Sequence, residues 1–252
     1  MAVIHATFFS PVLSKQVQMN VFTPAEGKGP FPVFYLLHGL SDDYSAWQRW
    51  TRLENHLGNL PLIVVMPDGF RGFYCDNVEG PAYARYMLED VVGFAERTFP
   101  AKGTRAGRCI GGLSMGGYGA MHLALLRPEM FASANSHSGA FGRGSRNYDV
   151  DADPELKRIF GAQKDAVGSV RDVFARSEKL KEAKTKLPAL RIDCGVDDFL
   201  IEDNRTFHAH LQKLKIAHEY QEYPGVHNWD YWDIHIREAL DFHARELGLT
   251  KK

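Results

Sequence analysis

Residues 108–120 read RCIGGLSMGGYGA, and the rest of the chain organises around them. Residues 108–113 have the composition of a short buried strand, and residues 115–127 that of a helix stopping before Pro128. At the junction, Gly112-Leu113-Ser114-Met115-Gly116 fits the pattern G-x-S-x-G, followed by Gly117 and, two residues on, Gly119. A nucleophile on a sharp strand-to-helix turn needs small neighbours, so that the strained backbone and the crossing elements do not clash. The helix beyond the turn aims its first amides at the serine, which favours a developing negative charge. A glycine-rich turn that merely contains serine would carry the same five letters. The strand before and the helix after make Ser114 the candidate nucleophile.

Outward from this turn, strand and helix patterns alternate. Continuous apolar runs at 31–37 and 62–66, the second ending at Pro67, suit strands covered on both faces. Further strands are expected at 131–137, 189–194 and 219–223. Helical spacing falls at 46–57, where Trp47, Trp50, Leu53 and Leu57 share a face, and at 83–99, 203–215 and 229–246. Segments 2–9 and 15–22 alternate with period two, Val17, Met19 and Val21 sharing a face, as in an antiparallel entry ribbon. The alternation implies βαβ units, hence an α/β fold with a mostly parallel central sheet and helices on both faces. The polar stretch 140–188, with two helical patterns, is expected as a small cap-like insertion over the sheet's C-terminal edge, where ligands sit in such sheets. No repeat or linker divides residues 1–252, so one domain is expected.

A chain of 252 residues buries roughly 70–75% of its unfolded surface and needs no disulfide or metal staple. Its 30 Lys and Arg balance 31 Asp and Glu, which leaves no electrostatic footprint for nucleic acid or an anionic membrane. The apolar runs are too short to span a bilayer. Cys75, Cys109 and Cys194 are an odd, sparse set, and Cys109 and Cys194 fall in buried strands, which suits a reduced setting. The opening MAVIHATFFSPVL lacks the features of a signal peptide, so a cytoplasmic location is expected.

Acyl transfer at a serine requires an imidazole to take its proton and a carboxylate to fix the imidazole's tautomer. When the nucleophile sits on such a turn, these partners follow it in the order acid, then histidine. Of 11 histidines, His227 alone stands in a loop after the last strand, within Pro224-Gly-Val-His-Asn-Trp229. His56, His122, His208, His210, His235 and His243 fall in helices, and His218 begins a strand. The acid belongs in the loop after 189–194, where Asp197 and Asp198 stand side by side and spacing does not separate them. Two backbone amides should face the carbonyl oxygen as it becomes negative. One is that of Met115; for the other, His38-Gly39-Leu40 follows the strand 31–37, with Leu40 as donor.

Asp149, Asp151, Asp153 and Glu155 invite a calcium reading, but Pro154 stands where the EF-hand loop needs glycine and Phe160 where it needs glutamate. A solvated acidic loop is expected instead. Trp229, Tyr231 and Trp232 beside His227 suit a helix packing on the core, with Trp229, His38 and Gly39 as candidates to line a substrate pocket. His137, at a strand end, reads as a hydrogen-bonded structural residue.

With these residues in view, the chain resembles the esterase family of α/β-hydrolases that includes esterase D (S-formylglutathione hydrolase), feruloyl and acetyl-xylan esterases and the mycolyltransferase antigens. It is most similar there to bacterial tributyrin esterases. The blocks MAVIHATFFSPVL, LLHGLSDDYSAW, LIVVMPD, GLSMGGYGA, CGVDDFLIEDN and GVHNWDYW carry the likeness over nearly the whole chain. Residues 138–188 follow no one subfamily. The resemblance implies a triad of Ser114, His227 and Asp198, the family's acid standing immediately before the Phe-Leu pair. It also implies an oxyanion hole of Leu40 and Met115 amides, and an oligomer. The expected activity is that of a serine carboxylesterase acting on short-chain acyl esters, a small-molecule substrate, with no cofactor and no metal. A thioesterase of the S-formylglutathione hydrolase kind, a feruloyl or acetyl-xylan esterase, and a non-catalytic binding member of the fold are the alternatives.

Overall fold

The structure, a computed structural model, describes residues 1–249. Eight strands form one sheet: β1 (Ala2–Ser10), β2 (Lys15–Thr23), β3 (Val33–Leu37), β4 (Ile63–Pro67), β5 (Arg108–Leu113), β6 (Ser133–His137), β7 (Ala189–Gly195) and β8 (Glu219–Tyr223). Their order is β1-β2-β4-β3-β5-β6-β7-β8. β2 runs antiparallel to both β1 and β4, and every other pair of neighbours is parallel. The chain steps from β3 to β4 on one side and then returns to β5 on the other, so strand order reverses between β3 and β5. Loops leaving two such neighbours diverge, and the crevice between them is where α/β sheets bind ligands.

Every residue of β3 and β4 is buried. Tyr35, Leu37, Ile63 and Val65 join one hydrophobic cluster, while Phe34, Leu36, Val64 and Met66 join a second on the other face. Two covered faces are why these strands read as unbroken apolar runs.

Two expected helices are modified. The pattern at 46–57 forms two helices, Ala46–Trp50 and Leu53–Leu57. The Thr51 hydroxyl takes the Trp47 carbonyl, and the Arg52 amide turns to Asp233 at 2.7 Å. Both bonds compete with the helical ladder at that point. The pattern at 83–99 is helical from Tyr83 to Thr98, with a π-helical stretch at Tyr86–Val91, and Phe99 is extended. Within 140–188 lie four short helices, Val150–Ala152, Pro154–Phe160, Gln163–Ala166 and Val173–Glu182. Asp149 and Asp153 cap the first two, and Asp151 pairs with Lys157 at 2.8 Å. The acidic run is thus used in capping and pairing, and no group of three metal-ligating side chains occurs among the described residues. Nor, among them, is any helix long and apolar enough to cross a membrane.

β6 is fully buried although its sequence is Ser-Ala-Asn-Ser-His. Its polar residues meet the closing helix Trp229–Leu247 and β7. His243 bonds Ser133 and Asn135, each at 2.8 Å. Asp193, wholly buried, bonds His137 at 2.9 Å, the Tyr231 hydroxyl at 3.0 Å and the Arg191 guanidinium. Burial alone would raise the Asp193 carboxyl, but His137 and Arg191 outweigh it and hold it at about 2. A buried ion pair adds little net stability, yet removing one partner strands the other charge. Asp193→Ala is therefore expected to cost about 3–5 kcal/mol, read as a lower urea midpoint with an unchanged slope. The pH sign follows from the depressed carboxyl. The contribution of Asp193 is complete above about pH 4, where the unfolded carboxyl is ionised, and is lost as pH falls towards 2.

Candidate active site

β5 ends at Leu113 and the helix Met115–Leu126 begins two residues later, so Ser114 alone makes the turn. Its backbone sits at φ 54° and ψ −115°, a conformation that costs a non-glycine residue roughly 1–3 kcal/mol. Close crossing of the neighbouring backbones holds it there. A Cβ at Gly112 would lie 2.7 Å from the Leu37 carbonyl oxygen, and one at Gly116 would lie 2.5 Å from that of His38. The Ser114 amide donates to the His137 carbonyl at 2.9 Å, which ties the turn to the end of β6.

His227 lies in the loop between β8 and the closing helix, whose N-cap Asn228 accepts from the Tyr231 amide at 3.0 Å. Its Nε2 is 3.0 Å from Ser114 Oγ, and its Nδ1 is 2.8 Å from Asp198 Oδ2. An ionised carboxylate only accepts, so Nδ1 carries the proton and Nε2 is free to accept from the serine hydroxyl. Asp198 is buried in the loop after β7. Burial pushes its carboxyl up, but hydrogen bonds from His227 and the Leu200 amide prevail and hold it below the usual range. Asp197 is exposed, and its amide donates to the Gly225 carbonyl at 3.0 Å; no bond joins its carboxylate to His227.

The turn after β3 faces Ser114, and its polar groups are almost all engaged in holding its shape. The Tyr74 hydroxyl donates to the His38 carbonyl at 3.1 Å, and the Asp42 amide donates to the Gly39 carbonyl at 3.3 Å. His38 Nδ1 donates to the Gly39 carbonyl at 2.8 Å, its Nε2 accepting from the Gly69 amide at 2.8 Å. In a trans peptide the carbonyl and the next N–H point in opposite directions. Pinning the Gly39 carbonyl therefore fixes the direction of the Leu40 amide, which has no protein acceptor among the described residues. The Met115 amide, first in its helix, has no intrahelical partner either.

These groups open onto a cleft of about 610 Å³ lined by Gly39, Leu40, Ser114, Met115, Phe199, His227, Trp229 and Trp232, among others. Residues 140–156 supply Ala140, Arg143, Tyr148, Asp153, Glu155 and Leu156. Of the residues proposed for a substrate pocket, Gly39 and Trp229 line this cleft and His38 does not: it is buried and braces the turn. Sequence reading missed Ser138, just past the strand end at His137, whose hydroxyl accepts from the Trp232 indole at 3.3 Å and whose amide donates to the Asp193 carbonyl at 2.7 Å. It also missed Arg71, whose guanidinium binds Glu155 at 2.6 Å and the Ser41 hydroxyl, joining segments far apart in the chain.

A family model described as "Putative esterase" matches residues 10–243. An acetyl esterase of Caldicellulosiruptor saccharolyticus is 28% identical over 270 residues, spanning 97% of this chain and 99% of its own. Among solved structures, the fluorophosphonate-binding serine hydrolase F of Staphylococcus aureus superposes with a TM-score of 0.87 at 28% identity, over 96% of this chain and 98% of that one. The S-formylglutathione hydrolase of the same organism gives 0.85 at 28% identity, with the same coverage.

The crossing at the serine turn has a direct test. Gly116→Ala would force a methyl group against the backbone of Leu37 and His38, which cannot yield like a side chain. A loss of about 3 kcal/mol or more is expected in urea unfolding, and a variant as stable as wild type would refute the close crossing.

Proposed function

The chain belongs to the esterase family and is a carboxylic ester hydrolase of the serine type; from that premise we propose that it cleaves short-chain acyl esters with Ser114, His227 and Asp198 as its catalytic triad. The reading is carried by the relay from Asp198 Oδ2 through both nitrogens of His227 to Ser114 Oγ, with steps of 2.8 and 3.0 Å. Ser114 Oγ attacks the ester carbonyl as its proton passes to His227 Nε2. The carbonyl oxygen, now negative, accepts from the amides of Leu40 and Met115, and each such donor is worth roughly 3–4 kcal/mol of barrier. Asp198 stays ionised and steadies the imidazolium. The ester C–O bond breaks, and the proton on Nε2 moves to the departing alkoxide. Water then gives a proton to His227 and attacks the acyl-serine. Ser114 leaves with that proton, and the carboxylic acid is released.

A short acyl group is supported by the cleft's contents. Its 610 Å³ has to hold both halves of the ester, and Arg143, Asp153 and Glu155 interrupt the apolar part of its wall. A thioester substrate is the second reading, favoured by the likeness to an S-formylglutathione hydrolase. It uses the same residues, and kcat/KM for that thioester far above the value for p-nitrophenyl acetate would select it.

Steady-state kinetics test both levels. Ser114→Ala and His227→Ala are each expected to lower kcat by about 10⁴-fold or more, nearly equally, because triad members act as a unit. Asp198→Asn should lower kcat by about 10³–10⁴-fold and Asp197→Asn by less than about threefold; the reverse order would reassign the acid. Across p-nitrophenyl esters from acetate to laurate, kcat/KM is expected to peak between acetate and butyrate and to fall at least about tenfold by laurate. A maximum at long chains would contradict the short-acyl reading.

A further inference from the structure

Phe199, beside the triad aspartate, is 74% exposed, more than any other large hydrophobic side chain among the described residues. Its ring lies 4.3 Å from the His227 imidazole, whose other neighbour, Trp232, packs edge-on at 4.9 Å and is only 5% exposed. His227 is thus backed by a buried indole and fronted by a phenyl ring in solvent.

We infer that Phe199 is the contact surface for the alcohol half of the ester and selects apolar alcohols, an assignment that rests on the serine esterase reading above. Three bonds besides that to Ser114 leave the tetrahedral carbon. The oxyanion is directed to the amides of Leu40 and Met115. The leaving oxygen has to reach His227 Nε2, since that nitrogen returns its proton. Whatever that oxygen carries therefore runs along the imidazole, and the ring on the solvent side of the imidazole is Phe199. Val226, next to His227 in the chain and 46% exposed, is apolar as well. Neither side chain offers a hydrogen bond, so a polyol alcohol would give up water without compensation. An aryl or branched alkyl alcohol covers the ring instead.

Benzyl acetate and methyl phenylacetate are isomers that place one phenyl group on the alcohol or on the acyl side. With methyl acetate as reference, Phe199→Ala is expected to lower the relative kcat/KM for benzyl acetate about tenfold, through KM, and to leave that for methyl phenylacetate within about twofold. Phe199→Leu should restore most of the benzyl preference. Equal losses on all three esters, or a loss confined to methyl phenylacetate, would overturn the assignment, the first by making Phe199 a brace for His227. Wild-type protein that turns over none of the three would instead overturn the esterase reading itself, and this assignment with it.

Discussion

At the end of β5, backbone lies against backbone with no room for a side chain between. Leu37 and Gly112 are cross-strand partners, and the helix that starts at Met115 passes over the end of β3 so closely that Gly116 abuts the carbonyls of Leu37 and His38. Everything at the site descends from this crossing. It holds Ser114 at positive φ, and it brings the helix's first amide and the Gly39–Leu40 turn to the same side of the serine. Because strand order reverses between β3 and β5, the two loops that carry these groups part there and leave a cleft. A larger residue at either glycine would separate Ser114 from the amides that face it.

Two buried carboxylates, five residues apart, are then set to different tasks by their surroundings. Asp193 lies in β7 opposite His137 and is satisfied on every side by a guanidinium, an imidazole and a phenol. Asp198 lies past the strand end, where its one charged-capable partner is His227, itself reaching outward to Ser114. Ser138 lies between them: its amide donates to the Asp193 carbonyl, and its hydroxyl accepts from the indole of Trp232, which packs against His227. The inner cluster fixes where β6 and β7 end, and so fixes the platform from which the outer one works.

Much of this was legible in the residues. The parallel core announced itself because β3 and β4 are covered on both faces, and the serine turn because only glycines fit its crossing. His227 was legible as the histidine left in a loop after the last strand. The choice between Asp197 and Asp198 was not, since both stand in one loop and only burial and the direction of the side chain distinguish them; the family resemblance pointed to Asp198. β6 was legible as a strand and His137 as a hydrogen-bonded structural residue, but the full burial of Ser133 and Asn135 was not, because the closing helix supplies their partner His243 from 108 to 110 residues away. His38 was expected in the pocket beside Gly39, but a side chain beside a turn can support it from behind, as this one does. The helix pattern at 46–57 gave no warning of its break, because the bond that turns Arg52 outward comes from Asp233.

The central claim is that Ser114 is the nucleophile and that His227 activates it, and the rate and site of phosphonylation test it most directly. Wild type, Ser114→Ala and His227→Ala would be treated with a fluorophosphonate, followed by intact mass over time and by peptide mapping. One adduct on Ser114 is expected in wild type, none in Ser114→Ala, and a far slower one in His227→Ala. An adduct on another residue, or phosphonylation of His227→Ala at the wild-type rate, would contradict the account.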